Sequence, residues 1–171
     1  KASKLIGTQR LKAYLEAYNH ISKMQADGSL PSTDDYLGDN DLAKNIYEKK
    51  YYLKNLDNEL IEKKPEDVFK RLAAFLATVE GGKTNQKEWA EKFYNELYDG
   101  RFVSGGRVLA GAGDIYRIKT LANCFVSKIK HDDIDSIYEA AFERARTYSY
   151  GGGIGVDISA LRPKDSVVHN A

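Results

Sequence analysis

Thr120-Leu121-Ala122-Asn123-Cys124-Phe125-Val126 and, after an intervening amphipathic segment, Gly151-Gly152-Gly153-Ile154-Gly155-Val156-Asp157-Ile158 decide the fold. The first stretch reads as a strand, with Thr120, Ala122, Cys124 and Val126 on one face and Leu121, Asn123 and Phe125 on the other. Ile134, Ile137, Tyr138, Ala141, Ala145 and Tyr148 then recur at helical steps. Asp132 or Asp133 stands ready to cap that helix, and Gly151 ends it. Ile154 to Ile158 reads as a second strand. Strand, helix and strand at this spacing form a βαβ unit, which implies a parallel sheet or barrel.

Upstream, the texture is helical. Leu11, Tyr14, Leu15, Tyr18 and Ile21 make one face of a helix ending near Asp27-Gly28, and Ser29 to Asp35 is a loop. A second helix is expected from about Asp41 to Tyr52, then a polar turn over Lys54 to Glu59. Pro65 suits a helix's first turn, where its missing N–H costs nothing, and Glu66 and Asp67 complement the dipole there. Val68, Leu72, Phe75, Leu76 and Val79 form its apolar stripe, stopped by Gly81-Gly82. Trp89, Phe93 and Leu97 mark a further helix, ending at Asp99-Gly100. The glycine-rich stretch Arg101 to Asp114 reads as a shaped loop. The division expected is a helical region over residues 1–100 and the start of an α/β part over 101–171.

The whole chain, 171 residues with 26 Lys and Arg against 25 Asp and Glu, carries no electrostatic footprint for nucleic acid or an acidic membrane. It has no apolar run long enough for a bilayer. The start, Lys1 to Ile6, lacks the apolar stretch of a secretory signal. One cysteine cannot build a disulfide framework, and this fits a reducing cytoplasm. His20, His131 and His169 have no metal-ligand spacing, and Asp132, Asp133 and Asp135 lack the rhythm of a calcium loop, so no metal site is expected.

Three local features carry possible chemistry, each with a plainer alternative. Four glycines among residues 151–155 exceed what a helix stop and a turn need, and they let backbone approach a ligand closely. They follow a helix and open a strand, the reverse of a dinucleotide fingerprint. Cys124 is either a buried structural thiol or a redox thiol, and the second reading needs a partner that this chain lacks. Arg162-Pro163-Lys164 is either a phosphate-holding pair of cations or a solvated loop. On these residues alone, a nucleotide-binding α/β enzyme of another kind and a helical interaction module both remain open.

Taken in order, Arg101-Phe102-Val103-Ser104-Gly105-Gly106-Arg107-Val108-Leu109-Ala110-Gly111-Ala112-Gly113, then residues 120–126, Asp132 to Ile137, Arg146 to Asp157 and Leu161 to Lys164, closely resemble the ribonucleotide reductase catalytic subunit. Tyr52-Leu53-Lys54 and Pro65 to Phe69 extend the resemblance, which covers roughly residues 40–171. The resemblance implies a helical region followed by the first strands of a ten-stranded α/β barrel, and reduction of the ribose 2′-hydroxyl through a protein thiyl radical. It implies that Cys124 pairs with a second cysteine from a later strand and is regenerated by a thioredoxin-type reductant. It places Val108, Asn123, Gly152 and Gly153 beside the ribonucleotide substrate. Asp133, Arg162 and Lys164 would serve deoxynucleoside triphosphate or ATP effectors with magnesium, at a dimer interface.

The glycine texture most resembles the adenosylcobalamin-dependent class, with a metal-radical small subunit as the alternative. Gly106-Arg107-Val108 replaces a Ser-Pro-Thr step common in the family, Asn123 stands where many members have serine, and no ATP cone is apparent. The family's Asn-x-Cys-x-Glu motif is absent too, so a second, C-terminal polypeptide is expected to complete the barrel.

Overall fold

The computed structural model describes residues 6–168, so His169 and the ends of the chain lie outside the described residues. Two compact units divide between Leu121 and Ala122. Residues 101–121, expected with the strands, pack with the helices.

In the helical unit, α1 (Thr8–Ala26), α3 (Pro65–Leu76) and α4 (Lys83–Tyr98) surround one core. Tyr14, Ala17 and Ile21 of α1, Val68, Leu72 and Phe75 of α3, and Ala90, Tyr94 and Leu97 of α4 are buried in it. The stripe expected on α3 stops short of Val79, because the chain tightens into a 3₁₀ turn over Ala77–Val79 that leaves Val79 exposed. Pro65 takes the first helical position, and Asp67 accepts from the Lys63 and Lys64 amides, occupying two donors ahead of the helix. Buried Tyr94 satisfies its hydroxyl by donating to the Pro31 carbonyl at 2.8 Å and accepting from Gln25.

The helix expected over 41–52 is shorter and changes pitch. Asn40 caps α2 (Asp41–Ile46) by accepting from the Ala43 amide at 2.9 Å, and the chain continues as a π turn over Tyr47–Tyr51. The glycine-rich segment expected as a loop contains a short helix, α5 (Gly106–Gly111). Arg71 of α3 explains it. This buried guanidinium donates to the Leu109 carbonyl at 2.9 Å and to the Ala112 carbonyl, occupying acceptors at the end of α5. Gly113 follows at φ 77°, and a Cβ there would lie 2.7 Å from Arg71 Cγ.

The strand unit is β1 (Cys124–Lys128), α6 (Ile134–Ser149) and β2 (Gly153–Asp157). The strands pair in parallel with Cys124 opposite Gly153 and Lys128 opposite Asp157. The expected βαβ unit is present. The first strand, however, starts at Cys124 rather than Thr120, because pairing begins only where β2 does.

Asp133 caps α6 by accepting from the Ser136 amide at 2.7 Å. At the other end, Gly151 sits at φ 84°. Its amide donates to the Tyr148 carbonyl and that of Gly152 to the Thr147 carbonyl, a Schellman closure that only glycine enters without strain. The covered face of α6 includes Ser136, Ile137, Ala140, Ala141 and Arg144, so it takes in Ile137 and Ala141 of the expected apolar row but is buried most deeply at Ser136 and Ala140. Ile134, Tyr138 and Tyr148 stay exposed, as does Phe142.

Candidate active site

The two strand starts bring four of the expected residues together. Asn123 precedes β1, and its carbonyl accepts from the Gly153 amide at 2.9 Å. Cys124 opens β1 directly opposite Gly153. A Cβ at Gly153 would stand 3.6 Å from Cys124 Sγ, so the missing side chain leaves that flank of the sulfur open. Cys124 is exposed, which removes the reading of a thiol buried by its own chain and places it at the end of the strand rather than in the middle.

The glycines of the turn divide by cause. Gly151 is needed for its positive φ. Gly152 is needed for packing, since a Cβ there would meet Phe125 at 2.7 Å and Thr147 at 2.9 Å. Gly153 would make only ordinary contacts and Gly155 none within 4 Å, so the chain's own packing does not demand either. Of the two, Gly153 keeps the backbone open beside the thiol.

Val108 lies in the other unit, on α5, partly buried against the helical core. The three residues expected at an anion site make different contacts in the structure. Asp133 spends one carboxylate oxygen on the α6 cap, which with its other local hydrogen bonds holds its carboxyl below the usual range. Its neighbour Asp132 instead pairs with Arg162, Nε to Oδ2 at 2.7 Å, and its carbonyl accepts from the same guanidinium at 3.4 Å. Lys164 is exposed in the loop beyond. Sequence reasoning left Asp132 and Asp133 interchangeable; the cap bond and the ion pair distinguish them.

Among the described residues, no three His, Cys, Asp or Glu side chains converge to hold a metal ion, and no helix is long and apolar enough to cross a membrane. An open cleft of about 500 Å³ is lined by Phe125, Val126 and Lys128 of β1 and by Phe142 and Arg146 of α6.

Comparison with known families matches residues 37–116 to the all-alpha domain of ribonucleotide reductase and residues 122–171 to its barrel domain. The chain belongs to the ribonucleotide reductase large-subunit family. The break between the two matches agrees with the structural division at residues 121 and 122. The chain is 32% identical over 133 residues to the ribonucleoside-diphosphate reductase subunit alpha of Helicobacter pylori, covering 78% of this chain and 15% of that protein. It is 31% identical over 124 residues to the subunit alpha of Chlamydia muridarum, covering 72% and 11%. A vitamin B12-dependent ribonucleoside-diphosphate reductase of Thermoplasma acidophilum is 30% identical over 94 residues, covering 55% and 12%. The chain thus spans a small fraction of the length of these ribonucleotide reductases.

Proposed function

We propose that this chain supplies the front of the catalytic barrel of a ribonucleotide reductase and that Cys124 is one of the two thiols oxidised with each substrate reduced. The observation that carries this reading is the accessible Cys124 sulfur at a strand start, flanked by the side-chain-free Gly153, in a chain of this family.

The chemistry balances simply. Replacing the ribose 2′-hydroxyl by hydrogen releases water and consumes two electrons and two protons. Two thiols supply both and leave one disulfide. Cys124 provides one thiol, and a second cysteine of the reductase's barrel provides the other. A thioredoxin-type dithiol then reduces the disulfide by exchange, which requires an accessible sulfur. Asn123, Gly152 and Gly153 border the ribonucleotide, with backbone able to approach it at Gly153. Val108, on α5, is a further substrate contact, on the family resemblance of its segment. Asp133, Arg162 and Lys164 hold a deoxynucleoside triphosphate or ATP effector with magnesium, with the Asp132–Arg162 pair orienting the guanidinium. The assembled subunit works as a dimer in the cytoplasm.

A radical generator, when bound, supplies the one-electron oxidation that starts the reaction. Adenosylcobalamin is our first choice, on the sequence texture and the Thermoplasma relative's name; a metal-radical small subunit is the alternative, since the Helicobacter and Chlamydia relatives' names carry no cobalamin. Among the described residues no three His, Cys, Asp or Glu side chains converge on a metal ion, and the residues that hold the radical generator are expected elsewhere in the assembly. Substrate phosphorylation is read as diphosphate, from the relatives' names, with triphosphate as the alternative.

Cys124→Ser tests the proposal in the assembled enzyme. The variant is expected to fold normally, because the side chain is exposed, and to lose sustained turnover with a dithiol or thioredoxin. Unchanged multiple turnover would remove Cys124 from the redox cycle.

A further inference from the structure

The helical unit contains a polar device that the chemistry above does not use. Arg71 is 1% exposed, and its guanidinium reaches four separate partners. Nε donates to Glu62 Oε1 at 2.6 Å, and Nη2 donates to Glu62 Oε2 at 3.2 Å. Nη1 donates to the Ala112 carbonyl, while Nη2 also donates to the carbonyls of Leu109 at 2.9 Å and Tyr51 at 3.2 Å. Glu62, 3% exposed, is itself fixed, because its Oε2 accepts from the Leu53 amide at 2.8 Å. Every partner of the guanidinium other than Glu62 is a backbone carbonyl.

The carbonyls chosen are informative. Leu109 and Ala112 belong to the last turn and cap of α5, where a helix leaves acceptors unpaired. Tyr51 closes the π turn, and its hydroxyl lies 3.5 Å from where a Cβ of Gly106 would stand, at the first residue of α5. Thus α5 is gripped directly at its end and faced at its start by a ring whose backbone the same arginine holds. A six-residue helix containing two glycines has little helical stability of its own, so its placement depends on this grip. The planar fork of arginine reaches several acceptors at once; a lysine ammonium is a single point charge.

We infer that Arg71, oriented by Glu62, is a positioning residue for ribonucleotide binding, acting through the backbone of residues 106–112 that carry Val108. This rests on the proposed placement of that segment beside the substrate.

The test compares Arg71→Lys with Leu72→Ala in the assembled reductase. Leu72 is 0% exposed on the same helix and has an aliphatic side chain, so its truncation loosens the core while leaving the carbonyl grip in place. Two quantities are read: kcat and KM for the ribonucleotide, and amide exchange across residues 106–112. Arg71→Lys is expected to lower kcat/KM about tenfold, mostly through KM, and to speed exchange in that segment about tenfold. Leu72→Ala, assayed where it remains folded, is expected to leave both within about twofold. If Arg71→Lys does not assemble, Glu62→Gln, which weakens the same grip, is read by the same two measurements.

Unchanged exchange in the Arg71 or Glu62 variant overturns the clamp. Normal kcat/KM alongside faster exchange, or an equal loss in Leu72→Ala, overturns its positioning role. A wild-type assembly that reduces no ribonucleotide overturns the functional reading and the positioning role together, and exchange then reports on the grip alone.

Discussion

The two units of this chain satisfy their apolar surface to very different degrees. In the helical unit, α1, α3 and α4 bury Ile21, Val68, Leu72 and Tyr94 to 0% exposure, and the buried charges Arg71 and Glu62 are paired and hydrogen-bonded. Among the described residues of the strand unit, a two-stranded sheet has one helix packed on it. Val126 remains 87% exposed, Tyr138 67% and Ile134 64%. Parallel sheets occur almost only with both faces covered, and here one face is left without a packing layer of the unit's own. One unit therefore carries its own core, and the other leaves large apolar side chains exposed.

The sharpest way to break this comparison is to truncate one apolar residue in each unit. Leu72→Ala removes a side chain from a closed core and is expected to destabilise the helical unit by about 2–5 kcal/mol. Val126→Ala in the isolated chain is expected to change stability by no more than about 0.5 kcal/mol, because the side chain is already in water. Trp89, the single tryptophan, lies in α4 and reports denaturant unfolding of the helical unit by fluorescence. If Val126→Ala costs more in the assembled enzyme than in the isolated chain, the rest of the assembly covers β1. Equal costs in both would leave this strand exposed even in the assembly.

A smaller effect follows from the tyrosines of the helical unit. Burial pushes the Tyr18 and Tyr52 phenols up to about 12, and those of Tyr14 and Tyr94 higher still. The unfolded chain loses these protons near pH 10 while the folded unit keeps them. Stability is therefore fully present below about pH 10 and falls as pH rises toward 12 and beyond. An alkaline titration of Trp89-monitored stability should show this decline. A flat profile between pH 10 and 12 would mean that these phenols are hydrated in solution.

Much of this architecture was legible because its signals are local. The spacing of Tyr14, Tyr18 and Ile21, Pro65 at a helix start, the step of four from Trp89 to Phe93 to Leu97, and Gly151 at a helix end each express constraints set within a few residues. What escaped notice depends on distant partners. The short helix at Gly106–Gly111 hides in a glycine-rich stretch because its acceptors are held by Arg71, tens of residues earlier in the chain. Strand β1 begins at Cys124 because its pairing partner begins at Gly153. The apolar row read on α6 is covered only in part, at Ile137 and Ala141, because the helix is buried most deeply at Ser136 and Ala140.

The residues proposed for the site were nameable from sequence. Their geometry was not, least of all the division of labour between Asp132 and Asp133. A charged residue in the middle of an amphipathic stripe was the available signal for Arg71, since Val68, Leu72 and Phe75 surround it in sequence and each is buried.

The most direct measurement is disulfide mapping of the assembled enzyme after a single turnover on ribonucleotide without added reductant. The account predicts that Cys124 is recovered in a disulfide with a second cysteine of the barrel, in an amount matching the deoxyribonucleotide formed. Product formation with Cys124 recovered as a free thiol would contradict it.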